Sequence, residues 1–315
     1  MSEVLLEIQG LTKMYGRQKL ALDGLTLTIN RGDVFGLIGP NGAGKTTTFR
    51  ILATLMHQSR GSARLGEYDY AVKKNVVDIR KRIGYMPDSF GVYEDMTVEE
   101  YLEFFAAAYG IHGSRRNQLV TDVLELVDLT FKKKDLILNL SRGMQQRLGL
   151  ARVLIHDPDL LILDEPASGL DPRARVEIRS LLVELQKMGK TILISSHILA
   201  DLGEICNRIG ILEQGKMKVQ GTLEEMLAQV KPSPIVRIRV AGDAAAAAAL
   251  LEALEFVESV HLERETLVVK VQTDFVEFWR LAAALADAGH QLTLLQPEAR
   301  NLEHAFMELT DGVVS

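Results

Sequence analysis

The stretch GPNGAGKTT at residues 39–47 carries the strongest structural signal in the sequence. It follows the apolar run VFGLI and precedes the helical pattern TTFRILATLM, so a strand, a glycine-rich turn and a helix come in direct succession. Glycines let the backbone curl until its N–H groups surround phosphate oxygens, and the helix N-terminus adds positive potential. Lys45 is placed to reach the β- and γ-phosphates of a nucleotide, and the Thr46 hydroxyl is placed to bind Mg²⁺. We therefore predict a P-loop whose ligands are Gly39, Pro40, Asn41, Gly42, Ala43, Gly44, Lys45, Thr46 and Thr47.

A second apolar run ends in two acidic residues. The run LLIL at residues 160–163 predicts a fully buried strand, and Asp164 and Glu165 follow it directly. Such a pair, taken alone, is more often a solvated turn. In a chain with a P-loop, we expect Asp164 to hold Mg²⁺ through water and Glu165 to act as the base for an attacking water.

His197 follows a third apolar run, TILISS at residues 191–196. Ligands of open α/β sheets gather at the carboxyl ends of the strands, which is where this histidine is expected to lie. We expect it to contact the γ-phosphate and to position the attacking water, although an isolated histidine is usually structural.

The order of the apolar runs predicts an α/β fold. From residue 4 to about 222, β-type and helical patterns alternate, which favours a mostly parallel, P-loop NTPase-type sheet flanked by helices. The pattern is helical at about residues 95–155, where Thr97 and Glu100 form a capping box, so we expect an inserted helical subdomain. The runs that predict strands are VLLEIQGL, LTLTIN, DVFGLIG, IGYMP, LLILDE, TILISS and RIGILEQG.

A stiff segment, KPSP at residues 231–234, predicts a domain boundary, because each proline restricts its own backbone and the residue before it. We expect a nucleotide-binding domain at residues 1–230 and an accessory domain at residues 235–315. The accessory domain shows the order β-α-β-β-α-β followed by a closing helix, NLEHAFMELT, which predicts a small ferredoxin-like α+β fold.

Composition limits the possible partners. The net charge of −6 and the pI near 5.7 argue against nucleic acid, which favours a basic surface. No stretch approaches the ~20 apolar residues that would span a bilayer, so contact with a membrane is expected to go through another protein.

The stretch LSRGM at residues 140–144 predicts a second anion-binding turn. If Ser141 is the N-cap of the helix that follows, its hydroxyl and the next N–H groups face any anion presented there.

Taken together, the chain resembles the ATP-binding cassette (ABC) family, specifically the ATPase subunit of an exporter-type transporter. The matching motifs are the P-loop at 39–47, the signature at 140–144, LLILDEP at 160–166, the D-loop SGLD at 168–171 and the switch histidine, His197. In that family two cassettes pair head to tail, and each signature closes over the ATP that the other holds. The resemblance implies that Ser141 and Gly143 contact a γ-phosphate across this interface and that Asp171 lies on it. The alternative for Asp171, a helix cap ahead of Pro172-Arg173-Ala174, is compatible with that role.

The resemblance also implies the cofactors and partners. ATP and Mg²⁺ are expected, with Tyr15 stacking on adenine or simply packing. A homodimer or a paired cassette is expected to drive a separate transmembrane permease from the cytoplasmic face of the cell membrane. In the family, the surface at residues 90–93 and the helix after Thr97 grip a short helix of the permease.

Two positions depart from the family pattern. The third and fifth signature positions, usually glycine and glutamine, are Arg142 and Met144, and we expect Arg142 to have an ordinary backbone angle because arginine is strained at positive φ. The family glutamine after the strand IGYM is Asp88, a charged oxygen ligand that is expected to bind Mg²⁺ and alter metal dependence. The alternative for Pro87-Asp88 is a plain turn.

Two other functions stay open at this point. A soluble ABC ATPase acting on ribosomes or nucleic acid is expected to show tandem cassettes or a basic face, and a nucleotide-binding regulator is expected to lack Glu165 or His197. For the accessory domain, dimerisation or docking is favoured over binding of a small regulator.

Overall fold

The computed structural model describes residues 3–16, 19–89, 91, 93, 95–196, 202–222, 224–226, 234–273 and 275–297. The chain forms two compact units, the first extending to residue 223 and the second beginning at Glu224. The boundary predicted at residues 231–234 lies, except for Pro234, outside the described residues and stays a prediction.

The first unit contains strands and helices in alternation. Its strands are β1 (Val4–Tyr15), β2 (Lys19–Asn30), β3 (Val34–Ile38), β4 (Arg60–Leu65), β5 (Tyr68–Asp69), β6 (Ile83–Met86), β7 (Leu160–Asp164), β8 (Thr191–Ser196), β9 (Arg208–Glu213) and β10 (Lys216–Thr222). Its helices include α1 (Lys45–Leu52), α2 (Val76–Arg82), α3 (Val98–Ala108), α4 (Gly113–Leu126), α5 (Arg142–Leu154) and α6 (Pro172–Lys187).

The central sheet has six strands in the order β10-β9-β3-β8-β7-β6. All neighbours pair in parallel except β10 and β9, so the predicted mostly parallel sheet is confirmed. Every residue of β3 and β7 is buried, as expected for parallel strands that are covered on both faces. The carboxyl ends of β3, β7 and β8 therefore meet at one edge, where the predicted site residues follow.

The first two strands lie elsewhere, and their assignment to the parallel sheet is wrong. Strands β1 and β2 pair antiparallel in a separate four-stranded sheet of order β2-β1-β4-β5. The physical reason is the short connection at residues 16–18, because parallel strands need a crossover of about a dozen residues or more. Strands β4 and β10 were not predicted at all, since their sequences, RGSARL and KMKVQGT, are largely polar.

The predicted helical insert consists of α3, α4 and α5. The capping box is confirmed: the Glu100 N–H donates to the Thr97 hydroxyl at 3.3 Å, and the Thr97 N–H donates to the Glu100 carboxylate at 2.8 Å. A cap of this kind stabilises a helix by about 1 kcal/mol. Tyr101, Leu124 and Leu148, one from each helix, are fully buried.

The second unit has the predicted β-α-β-β-α-β order. Its elements are β11 (Ile235–Ala241), α7 (Ala244–Glu252), β12 (Val257–Glu263), β13 (Thr266–Val271), α8 (Trp279–Asp287) and β14 (Gln291–Pro297). The strands pair antiparallel in the order β12-β13-β11-β14, and alternate residues of β11 face a core that includes Ile238, Leu251 and Leu285. The closing helix predicted at NLEHAFMELT lies outside the described residues.

Candidate active site

The P-loop turn is shaped by glycines that leave no room for a side chain. A Cβ on Gly39 would lie 2.2 Å from the Leu212 carbonyl oxygen, and one on Gly44 would lie 2.7 Å from the Ala21 carbonyl oxygen. Gly44 is also the N-cap of α1 at φ 109°, and no side chain of the described residues caps this helix. The first turn of α1 therefore presents its N–H groups without a side-chain acceptor, which is the arrangement that receives an anion.

Lys45 is buried inside this turn. Its Nζ donates to the Gly39 carbonyl at 2.5 Å and lies 3.6 Å from Glu165 Oε1. Burial lowers the pKa of the Lys45 ammonium, and the negative charges of Glu165 and Asp164 oppose that shift. The predicted phosphate-binding cation thus lies directly opposite the predicted base.

A hydroxyl that the sequence did not predict joins the ends of β7 and β8. Ser195 Oγ donates to Asp164 Oδ1 at 2.7 Å and accepts the Glu165 N–H at 3.0 Å. The signal that would have found it is strand register, since Asp164 of β7 pairs with Ser195 of β8. Ser195 thereby fixes both acidic residues at the sheet edge.

The environment of Asp164 fits a bound Mg²⁺. Oδ2 of Asp164 is buried and has no hydrogen-bond partner among the described residues. Burial raises the pKa of Asp164, hydrogen bonds from Ser195 and Thr46 oppose that shift, and the charge of Asp88 adds to it. Within the described ranges, no group of three or more His, Cys, Asp or Glu side chains could hold a metal. Mg²⁺ commonly takes only one or two carboxylates and completes its shell with substrate phosphates and water, so the set of Thr46, Asp164 and Asp88 suits it.

Glu165 has an unusual backbone. Its φ is 52°, in the left-handed region that non-glycine residues rarely adopt, and its side chain is 14% exposed. Strain of this kind persists where the surrounding structure holds the residue in place, often at functional sites. Glu165 is the middle residue of the Asp164–Pro166 segment, and its side chain lies beside Lys45.

An open cavity surrounds these groups. Tyr15 lies on its wall, with the hydroxyl 3.4 Å from Thr47 Oγ1 and 3.2 Å from the Met56 sulfur. Asp88, predicted as a metal ligand, lines the same cavity. Its other lining residues are Lys19, Leu20, Ala21, Pro40, Asn41, Gly42, Ala43, Gly44, Lys45, Thr46, Thr47, Arg50, Glu165, Ser168 and Gln214.

The signature turn is not part of this cavity. Ser141 is the predicted N-cap of α5, and its Oγ accepts the Met144 N–H at 3.3 Å. Arg142 has no positive φ, as expected. A Cβ on Gly143 would lie 2.9 Å from the Ala174 Cβ, so the start of α5 packs closely on the start of α6.

Asp171 is a helix cap, the role that the sequence predicts as compatible with a place on the interface. It caps α6, accepting the Ala174 N–H at 2.9 Å, and Pro172 occupies the first turn. Ser141, Gly143 and Asp171 are not among the residues that line the P-loop cavity. His197, the predicted switch histidine, lies outside the described residues.

A strand, glycine turn and helix whose buried lysine faces carboxylates at the end of another strand of the same parallel sheet define a P-loop nucleoside triphosphatase. The comparisons with known proteins specify the family. The model of the ABC transporter family matches residues 22–168. The linearmycin resistance ATP-binding protein LnrL of Bacillus subtilis is 32% identical over 97% of this chain and 98% of that protein.

Two further comparisons agree. The Nod factor export ATP-binding protein I of Paraburkholderia xenovorans is 34% identical over 98% of both chains. A dimeric ATP-binding cassette with bound ADP and inorganic phosphate is 25% identical, with a TM-score of 0.63, over 70% of this chain and 99% of that one. The chain belongs to the ABC transporter family, and it is an ATP-binding subunit that hydrolyses ATP.

These relatives favour a transporter subunit over a soluble ABC ATPase or a regulator. ATP-binding subunits of this family act with transmembrane permeases. Among the described residues, none of the helices has the length and apolar character needed to cross a membrane.

Proposed function

We propose that this chain powers an exporter by closing head to tail on a second cassette, with ATP held between the P-loop of one copy and the signature turn of the other. The observation that carries the proposal is the separation of the two anion-binding turns. The P-loop cavity is lined by residues of its own turn, of β2 and of the β7 edge, whereas Ser141 and Gly143 lie outside it. A triphosphate in the cavity needs a second chain to meet a signature turn.

In this proposal the P-loop holds the phosphates. The uncapped N–H groups of α1 bind the phosphate oxygens, and Lys45 turns from the Gly39 carbonyl and Glu165 toward the β- and γ-phosphates. Tyr15 stacks on the adenine from the cavity wall. The other ligands are the nucleotide residues predicted above, from Gly39 to Thr47.

Mg²⁺ would be held by Thr46 and Asp164, with Asp88 as the further ligand that departs from the family. When bound, the ion neutralises charge that develops on the phosphate oxygens. The orphaned Asp164 Oδ2 and the position of Asp88 on the cavity wall support this assignment.

Glu165 acts as the general base. It accepts a proton from the water that attacks the γ-phosphate, and ADP and inorganic phosphate are the products. Ser195 holds the backbone of Glu165 at the sheet edge by accepting its N–H. We assign His197 to the positioning of the same water, on its place in the sequence after β8.

The partner is a separate transmembrane subunit that docks on the helical insert. A groove between β6, α3 and α5 is lined by Tyr85, Pro87, Phe105, Tyr109 and Arg152. The Tyr109 ring stacks on the His156 ring with 3.8 Å between the ring centres, and Tyr109 is 42% exposed. The groove therefore has an accessible aromatic wall. An aromatic-lined groove that also carries two arginines, Arg80 and Arg152, suits a short amphipathic helix.

Residues 90–93, the other part of the predicted docking surface, are described only at Gly91 and Tyr93. Tyr93 is 53% exposed and contacts Phe104 edge to face, 5.7 Å between ring centres. Docking through such a partner places the protein at the cytoplasmic face of the cell membrane. Relatives named for resistance and export support outward transport, and the cargo is chosen by the permease.

Glu165→Gln tests the mechanism. Removing the base while leaving the phosphate ligands intact is expected to lower the turnover number by about 10²- to 10⁴-fold and to trap a closed ATP-bound dimer. Size-exclusion chromatography with ATP should show doubling of the mass in this variant and not in Lys45→Ala. A Glu165→Gln variant that stays monomeric at saturating ATP would contradict the proposal.

A further inference from the structure

Arg142 lies flat against the D-loop of its own chain. A Cβ on Gly169 would lie 2.6 Å from Nη2 of Arg142 and 2.7 Å from both Cζ and Nη1. Because these three distances are nearly equal, the Cβ position lies over the face of the guanidinium and not at its edge. The planar group therefore covers the Cα of Gly169.

Charge does not hold the guanidinium in this position. Within the described residues, Arg142 forms no salt bridge, in contrast to Arg147 and Arg173, which pair with Glu177. The contact is instead a van der Waals contact between a planar cation and a backbone, which a weakly hydrated guanidinium makes better than an ammonium. A lysine at position 142 would keep the charge and lose the flat surface.

Glycine is favoured at position 169 under this arginine. Gly169 has φ 66°, where an added Cβ is strained, and the same Cβ would displace the guanidinium. Backbone and side chain thus favour glycine for two independent reasons.

The D-loop connects to the backbone of Glu165, the proposed base of this chain. The Ser168 N–H donates to the Glu165 carbonyl at 3.0 Å, and Ser168 lines the P-loop cavity. On its other side the D-loop leads into α6 through the Asp171 cap, where Ala174 packs on Gly143. Arg142 adds a second contact between the same two segments.

We propose that Arg142 is a positioning residue that fixes the D-loop against the signature turn of its own chain. The signature turn then moves together with the loop behind Glu165. This inference rests on the proposed function, in which the signature turn meets the nucleotide of a second copy. Nucleotide binding at one site of the dimer thereby affects the other site. A signature with glycine at position 142 has no side chain to make this contact.

The test uses the full chain with Arg142→Ala and Arg142→Lys, and with Arg115→Ala as the control. Arg115 is an exposed arginine of α4, far along the chain from the D-loop. The first readout is hydrogen exchange of the peptide spanning residues 165–172 without nucleotide. The second is the Hill coefficient of ATP hydrolysis against ATP concentration, with binding of a fluorescent ATP analogue measured in parallel.

Both Arg142 variants should exchange about fivefold faster in residues 168–170, and Arg115→Ala should not. The Hill coefficient should fall from ~2 in the wild type to ~1 in both Arg142 variants, with binding of the ATP analogue unchanged. The inference would be overturned if exchange or the Hill coefficient were unchanged in the variants. It would also be overturned if Arg142→Lys behaved like the wild type, or if the wild type showed no cooperativity. A Glu165→Gln variant that stays monomeric at saturating ATP would instead refute the proposed function, while the exchange measurement still tests the contact.

Discussion

Two helix starts in the first unit bear on anion binding, and they are built in opposite ways. Helix α1 begins after a left-handed glycine, without a side-chain cap from the described part of the chain, and its first residue is the buried Lys45. Helix α5 begins at Ser141, whose hydroxyl satisfies the Met144 N–H, and its first side chain, Arg142, covers a neighbouring loop. The first start is incomplete until a ligand arrives from solution. At the second, the cap hydroxyl already satisfies one N–H of the first turn, so this helix start is stabilised without a ligand, which suits an anion brought by another chain.

Lys45→Ala should have the largest effect, because it removes the cation predicted to bind phosphate inside the P-loop turn. Loss of charge-assisted hydrogen bonds to the phosphates is expected to weaken ATP binding by about 100-fold. Lys19→Ala is the matched control, since Lys19 lines the same cavity at an exposed position. Isothermal titration with each variant measures the effect, and equal affinities would contradict the role of the P-loop.

Ser141→Asp should separate capping from anion binding at the second helix start. Aspartate and asparagine are both good N-caps, so Ser141→Asp and Ser141→Asn should unfold at the wild-type temperature. Only aspartate brings a negative charge to a triphosphate, and we expect it to lower ATP hydrolysis by about 30-fold relative to Ser141→Asn. Equal rates in the two variants would show that position 141 does not meet a phosphate.

Asp88→Gln should change the metal dependence of the P-loop site and leave the signature turn unaffected. Removing one negative charge near Thr46 and Asp164 is expected to raise the Mg²⁺ concentration for half-maximal hydrolysis on the order of tenfold. Magnesium titrations of the wild type and the variant provide the measurement. Superimposable curves would leave Pro87-Asp88 as a plain turn.

Asp164→Asn should show that the P-loop site is maintained at a cost to stability. Burial raises the pKa of Asp164 above its value in the unfolded chain, so the ionised form destabilises the fold at neutral pH. That penalty is absent in acid, where the carboxyl is protonated in both states. Without Mg²⁺, the variant should therefore melt above the wild type at pH 7.5, and the difference should shrink as the pH falls toward 3.8, the ordinary pKa of an aspartate.

The thermal test has a clear contrary outcome. A variant that melts below the wild type at pH 7.5, or a difference that does not depend on pH, would mean that Asp164 is well satisfied before metal binds. Activity of Asp164→Asn is expected to be lost in either case.

Features set by consecutive residues could be predicted from the sequence. The P-loop, the Thr97 capping box and the Ser141 and Asp171 caps depend on neighbours a few positions apart, and the structure has the two caps and the box where they were expected. The order of elements in the second unit followed from the same local patterns.

Features set by register or by packing could not be predicted in this way. The role of Ser195 depends on which residue of β8 pairs with Asp164, and the separate β1-β2 sheet depends on pairing partners. The contact of Arg142 with Gly169 joins residues of α5 and the D-loop that no sequence period relates. Such contacts depend on how the sheet and the helical insert pack together in the folded chain.

The left-handed backbone of Glu165 has a consequence for directed evolution. A carboxylate side chain at φ 52° costs the fold about 1 kcal/mol or more relative to glycine, whose backbone adopts this conformation freely. Libraries screened for heat resistance alone would enrich glycine or asparagine at this codon. Because Glu165 is the proposed base, we expect these variants to bind ATP and to lose its hydrolysis. Screens for robust forms of this ATPase therefore need turnover as a simultaneous criterion.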